Sequence, residues 1–231
     1  MRKSETRSGD QDLESEPATR PAFPRLVKNS VKRFLPKTLL DELQRFVSLE
    51  PRERALYLRL KTSTGLGFTR KPLHRIKVRS LLFVCFGNIM RSPMCEALMN
   101  RALQSGAHSN LSVSSAGLNA TAGREVHPRA LAAAREYGIS LDSHRARLLT
   151  SEMVEAADLV LVMDFQNYVQ LLSRYPSAKN KIAMLAASSG SKFRNAEIKD
   201  PYYEGPEATS KCYAILATCI ENLLQELDRN P

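Results

Sequence analysis

The chain has 231 residues, with 34 lysines and arginines against 24 aspartates and glutamates, a net charge of +10. Apolar residues make up 43% and charged residues 25%, the balance of a globular domain with an extension rather than of a mostly disordered chain. No apolar run approaches the roughly 18 residues of a membrane helix, and the charged stretch Met1–Arg20 lacks the apolar segment of a secretory signal, so the expected compartment is the cytoplasm.

Residues 1–24 carry Pro17, Pro21 and Pro24 among mixed charges with few large apolar side chains, and are expected to form a disordered tail. Residues 25–75 read as a basic helical extension and linker. Residues 1–75 hold 17 basic and 9 acidic side chains, against 17 and 15 in residues 76–231. The positive balance therefore belongs to the first third, which argues against nucleic acid as a partner. Residues 38–47 predict an amphipathic helix, with Thr38 and Asp41 approximating a capping box. Its apolar face holds Leu39, Leu40, Leu43, Phe46 and Val47. A second helix opens with Pro51 after Glu50. It carries Leu56, Tyr57 and Leu60 on one side and is made basic by Arg52, Arg54, Arg59 and Lys61. Three uses fit residues 38–61: docking on the following domain, a homodimer, or peripheral contact with an anionic membrane. The scarcity of bulky apolar anchors favours packing. Residues 62–75, with Gly65, Gly67 and Pro72, read as a linker.

From residue 76 strands and helices alternate. Val78–Cys85 is a continuous apolar run, as a buried parallel strand should be. A helix over Pro93–Leu103 follows, then a short strand at Leu111–Ser114, then a helix over Pro128–Tyr137 closed by Gly138. Asp158–Met163 is a second apolar strand, Phe165–Leu172 a helix, Lys181–Leu185 a fourth strand and Glu207–Leu227 a long closing helix. The alternation predicts an α/β fold: a small parallel sheet of about four strands with helices on both faces. Such sheets bind ligands beyond the carboxyl ends of their strands, and the first strand ends at Cys85.

The cysteines Cys85, Cys95, Cys212 and Cys219 fit no zinc spacing, and no metal site is expected. Cys212 and Cys219 share a helix face about 10 Å apart, too far for a disulfide. Three of the four read as small buried hydrophobes; the exception is Cys85. It opens the segment Cys85-Phe86-Gly87-Asn88-Ile89-Met90-Arg91-Ser92-Pro93 between a strand and a helix. A loop at a helix N-terminus presents unpaired N–H groups and the positive end of the helix dipole. Gly87 permits the turn, Asn88 tolerates left-handed geometry, and Arg91 adds a bidentate fork for phosphate. Cys85 at the mouth of this oxyanion cradle is placed as a nucleophile, and Ser92 as a hydrogen-bond donor to its sulfur.

These residues resemble the low-molecular-weight protein tyrosine phosphatases, whose signature reads C-x-G-N-I-C-R-S-P. The family's Asp-Pro-Tyr triplet is matched by Asp200-Pro201-Tyr202, followed by Tyr203. Ser115-Ala116-Gly117, His144 and the Met163-Asp164 pair also look familial. The resemblance covers residues 76–231 and not the extension. It implies that Cys85 attacks phosphorus, that Arg91 and the loop hold the equatorial oxygens, and that Asp200 protonates the departing phenolate and then activates water. It implies no cofactor and no metal. Phe86, Tyr202 and Tyr203 are implied as the aromatic walls of a cleft deep enough to favour phosphotyrosine over phosphoserine, with Ser115 supporting the loop. His144 reads as structural. The implied partners are phosphotyrosine proteins, including a bacterial tyrosine kinase of polysaccharide export.

Related chemistries fit less well. Arsenate reductases of the thioredoxin-coupled kind need further cysteines near the end of the third strand, and Val162–Asn167 has none. Protein-arginine phosphatases tend to carry threonine where this chain has Ile89. One departure from the signature has a consequence: its second cysteine is Met90 here, so oxidised Cys85 has no neighbouring thiol there to trap it. Peroxide is expected to drive Cys85 toward irreversible acids; full recovery of activity with a thiol reductant would overturn this.

Overall fold

The computed structural model describes residues 37–63, 77–104, 110–188 and 197–228. The expected tail at 1–24, and most of the expected linker, lie outside the described residues. In chain order the elements are α1 (Lys37–Val47), α2 (Pro51–Ser63), β1 (Ser80–Cys85), α3 (Arg91–Leu103), β2 (Ser112–Gly117) and α4 (Pro128–Arg135). Then come α5 (Ser151–Ala156), β3 (Leu159–Val162), α6 (Phe165–Arg174), a 3₁₀ turn (Pro176–Asn180), β4 (Ile182–Met184), α7 (Leu185–Ser188) and α8 (Pro206–Asp228).

The four strands form one all-parallel sheet in the order β2-β1-β3-β4. Both faces are covered, which is why β1 and β3 are apolar without alternation. Leu81, Phe83, Cys85, Leu159 and Leu161 face the core under α3, α4 and α8, whereas Leu82, Val84, Val160 and Val162 face a second core. Chain order reverses at β1: β2 lies on one side and β3 on the other. The loops after β1 and β3 therefore diverge and leave a crevice at their carboxyl ends.

The extension closes the second core. Leu49, Tyr57 and Leu60 are buried with Phe165, Tyr168, Val169 and Leu171 of α6. The α1–α2 corner is held by polar groups. Glu53 accepts a hydrogen bond from the Glu50 backbone N–H (2.9 Å), a capping contact at the start of α2. Arg54 donates to the carbonyls of Val47 (2.7 Å) and Leu49 (2.9 Å), satisfying the end of α1. Lys61 pairs with Glu42 (2.6 Å) and Glu197 (3.4 Å) and lies over the rings of Tyr57 and Phe165. Of the three expected uses of residues 38–61, docking on the following domain is the contact seen. It buries Tyr57 and Leu60 of the second helix, whereas Leu40, Leu43, Phe46, Val47 and Leu56 are half-buried and Leu39 and Leu58 are exposed. The side chains of Thr38 and Asp41, expected as a capping box, lie outside the described residues.

Several boundaries differ from the sequence expectation. Strand β2 runs on through Ser115-Ala116-Gly117, because its pairing partner β1 continues to Cys85 opposite Gly117. Helix α2 extends to Ser63, and α5, capped by Thr150, was not anticipated.

The Tyr57 hydroxyl is buried with no partner among the described residues. Tyr57→Ala is expected to lower unfolding free energy by about 3 kcal/mol. Tyr57→Phe removes only an unsatisfied group and is expected to cost nothing or to stabilise. Urea unfolding of both variants checks this.

Candidate active site

Strand β1 delivers Cys85 to the edge of the crevice and α3 begins at Arg91, so the loop between them wraps the helix N-terminus. Cys85 Sγ lies 3.1 Å from Ser92 Oγ and 3.2 Å from the Asn88 backbone N–H, which donates to it. Asn88 is fully buried with φ of +53°, the left-handed region that asparagine tolerates. Its side chain is the hub of the loop. Asn88 Nδ2 donates to Ser92 Oγ (2.9 Å) and Ser115 Oγ (2.8 Å), and Oδ1 accepts from the Arg147 backbone N–H (2.8 Å). Ser115 donates in turn to Glu96 (2.5 Å), which pairs with Arg147 (3.0 Å). His144 Nε2 lies 3.2 Å from the Asn88 carbonyl. Burial lowers the His144 pKa against the pull of Glu96, so the neutral ring that braces Asn88 persists through neutral pH.

Arg91 is 1% exposed. Its Nη1 donates to Asp164 (2.6 Å) and the Ile198 carbonyl (2.8 Å), and its Nη2 to Asp200 (2.5 Å). Burial opposes the guanidinium charge, but Asp200 and Asp164 outweigh it and raise its pKa above the ordinary value. The Arg91 Nε–H is buried and has no partner among the described residues. Asp164 also caps α6 by accepting from the Asn167 N–H (2.7 Å). Glu197 accepts from the Phe165 N–H (2.9 Å), and the Ile198 N–H donates to the Met163 carbonyl (2.9 Å). The segment leading to Asp200 is thus stitched to the end of β3.

A cavity of about 450 Å³ opens on this site. Phe86, Arg91, Asp164, Asp200 and Tyr203 line it. Neither Cys85 nor Tyr202 is among its lining residues; the Tyr202 ring packs edge-on against His127 and Tyr203. Gly87, expected to permit the turn, is not in the left-handed region, which Asn88 occupies instead, and a Cβ there would meet only the Ile89 side chain at 3.4 Å. Ile89 and Met90 point into the first core, where the Met90 carbonyl accepts from the Tyr213 hydroxyl (2.9 Å). Cys95, Cys212 and Cys219 are buried and form no disulfide among the described residues. Burial raises the Cys95 pKa well above the ordinary thiol value and pushes Cys212 up to about 12, so both are protonated at neutral pH.

The family model described as low molecular weight phosphotyrosine protein phosphatase matches residues 80–231. The chain belongs to this family. It is 38% identical over 130 residues to a probable low molecular weight protein-tyrosine-phosphatase, EpsP, of Ralstonia nicotianae, covering 54% of this chain and 79% of that one. It is 34% identical over 153 residues to the probable phosphatase AmsI of Erwinia amylovora, covering 66% and 99%. The crystal structure of Erwinia amylovora AmsI matches with a TM-score of 0.58 at 32% identity over 64% of this chain and 93% of that one. The YwlE arginine phosphatase from Geobacillus stearothermophilus matches with a TM-score of 0.58 at 31% identity over 65% and 94%. The phosphatase fold and the small parallel sheet agree with the sequence expectation. Among the described residues, no helix is long and apolar enough to cross a membrane.

Sequence reasoning left Asp164 without a role and did not anticipate Glu96, Arg147 or Glu197. An aspartate directly after an apolar strand and before a helix was the available signal for Asp164. The others form contacts distant in sequence and have none. Gly117 has a steric reason to be glycine. A Cβ there would meet the Asn88 nitrogen and the Gly87 carbonyl carbon at 2.8 Å. Because these neighbours are loop backbone, Gly117→Ala is expected to displace the loop. The expected losses are about 1–3 kcal/mol of stability and about a hundredfold in kcat/KM, measurable by unfolding and by aryl phosphate turnover.

Proposed function

We propose that the protein hydrolyses phosphotyrosine in protein substrates through a phosphocysteine intermediate on Cys85, with Asp200 as general acid and then general base. The observation that carries this reading is the 2.5 Å contact between Arg91 and Asp200, which are 109 residues apart in sequence. It joins the Cys85 loop to the Asp-Pro-Tyr segment in one crevice. The aryl ring lies between Phe86 and Tyr203 with its phosphate over Cys85. The guanidinium, fixed through Nη1 by Asp164 and the Ile198 carbonyl, presents its donors to the phosphate oxygens. The dianion also competes with Asp200 for Nη2, freeing the carboxyl to carry a proton to the leaving oxygen.

The Cys85 sulfur then forms a bond to phosphorus as the bond from phosphorus to the tyrosine oxygen breaks, and Asp200 supplies the proton that makes tyrosine the leaving group. In the second step Asp200 takes a proton from water, which attacks phosphorus and releases phosphate. The sulfur leaves as a thiolate held by the Asn88 N–H and Ser92. Helix α3 and Arg91 supply the positive charge that the transition state needs. A tyrosine kinase of polysaccharide export remains the proposed class of substrate, and the cytoplasm the proposed compartment.

Wild-type protein is expected to release phosphate from phosphotyrosine peptides and not from phosphoserine or phosphoarginine, without added metal. Cys85→Ser is expected to abolish turnover, and Asp200→Asn to lower kcat by about 10²–10⁴-fold. A preference for phosphoarginine would overturn the substrate assignment and the weight given to Ile89.

A further inference from the structure

The cleft has a wall that the catalytic region does not supply. Besides the catalytic loop, α6 and the segment around Asp200, the cavity is lined by Gln44, Arg45, Ser48, Glu50 and Glu53 of the extension. This wall is fixed in place. Gln166 at the start of α6 donates to Ser48 Oγ (3.2 Å), and Ser48 donates to the Arg45 carbonyl (2.7 Å). On the far side of the corner, Lys61 holds Glu197, three residues before Asp200.

Its charges are unequally matched. Asp164 and Asp200 are held by Arg91, and Glu53 by the Glu50 N–H. Arg174 donates to the Leu118 carbonyl and to Asn119 Oδ1. Arg45 is half-buried on the cavity, and its guanidinium makes no hydrogen bond or ion pair with any described residue. A guanidinium on a cleft wall with no fixed anion beside it has its donors available, and its planar fork suits a carboxylate or phosphate. Glu50 and Glu204 also line the cavity, so the cleft is not uniformly positive. It offers an anion a particular place, not a general attraction.

We propose that α1 and α2 form the outer wall of the substrate cleft, and that Arg45 receives an anionic group carried by the substrate beside its phosphotyrosine. That group is a neighbouring carboxylate or a second phosphate. The proposal rests on the phosphotyrosine reading above and adds a specificity-determining residue outside the region matched by the family model.

The test uses the full chain with p-nitrophenyl phosphate and three phosphotyrosine peptides, flanked by alanines, by glutamates, or by a second phosphotyrosine. Arg45→Ala is expected to lower the ratio of kcat/KM for an anion-flanked peptide to that for the alanine-flanked peptide by about tenfold, the size of one charge-assisted hydrogen bond. Arg45→Glu is expected to lower it further, and Arg45→Lys to restore part of it. A loss confined to the glutamate peptide identifies a carboxylate, and one confined to the doubly phosphorylated peptide a phosphate. A ratio unchanged in Arg45→Ala and Arg45→Glu, or a proportional loss on all four substrates, overturns the proposal. Failure of the wild type on every phosphotyrosine peptide and on p-nitrophenyl phosphate would instead overturn the phosphotyrosine reading, and this proposal with it.

Discussion

A guanidinium buried as completely as that of Arg91 must be matched by fixed anions, and much of the site is arranged to supply them. Asp164 arrives at the end of β3 and Asp200 on the segment stitched to it through Ile198. The sheet order makes this possible, because β1 and β3 are neighbours whose following loops turn apart. Removing either carboxylate strips one guanidinium nitrogen of its ionic partner, so these acids hold the geometry of Arg91.

Cys85 is positioned by a second set of contacts that shares no side chain with the first. Asn88 adopts a conformation most residues resist, and five groups around it hold it there: Ser92, Ser115, Arg147, His144 and, through Ser115, Glu96. These partners come from α3, β2 and the segment between α4 and α5. The loop therefore depends on the fold around it as well as on its own nine residues. Close approach of β2 at Gly117 leaves it no room to relax.

That division explains what the sequence made legible. The loop from Cys85 to Pro93 could be read because its distinctive residues are consecutive, and β1 and β3 because burial on both faces leaves a continuous apolar run. Asp200 could be placed only by its motif, since nothing local distinguishes it from a turn aspartate. The end of β2 was hidden because Ser115-Ala116-Gly117 has no strand-like side chains; pairing with β1 defines it. Helix α5 has six residues and one buried side chain, too little for a periodic pattern. The extension's share of the cleft depends on contacts such as Ser48 with Gln166, 118 residues apart, which no local pattern encodes.

The second core joins two parts of the chain with different histories of resemblance. Leu49, Tyr57 and Leu60 come from outside the region matched by the family model, whereas Phe165, Tyr168 and Val169 come from within it. Substitutions on the outer face of α6 are therefore judged against α2 as well as against the sheet. The extension cannot drift like an appended linker. It and the catalytic region must vary in step, and the boundary that sequence similarity draws at residue 80 crosses the middle of a single packing unit.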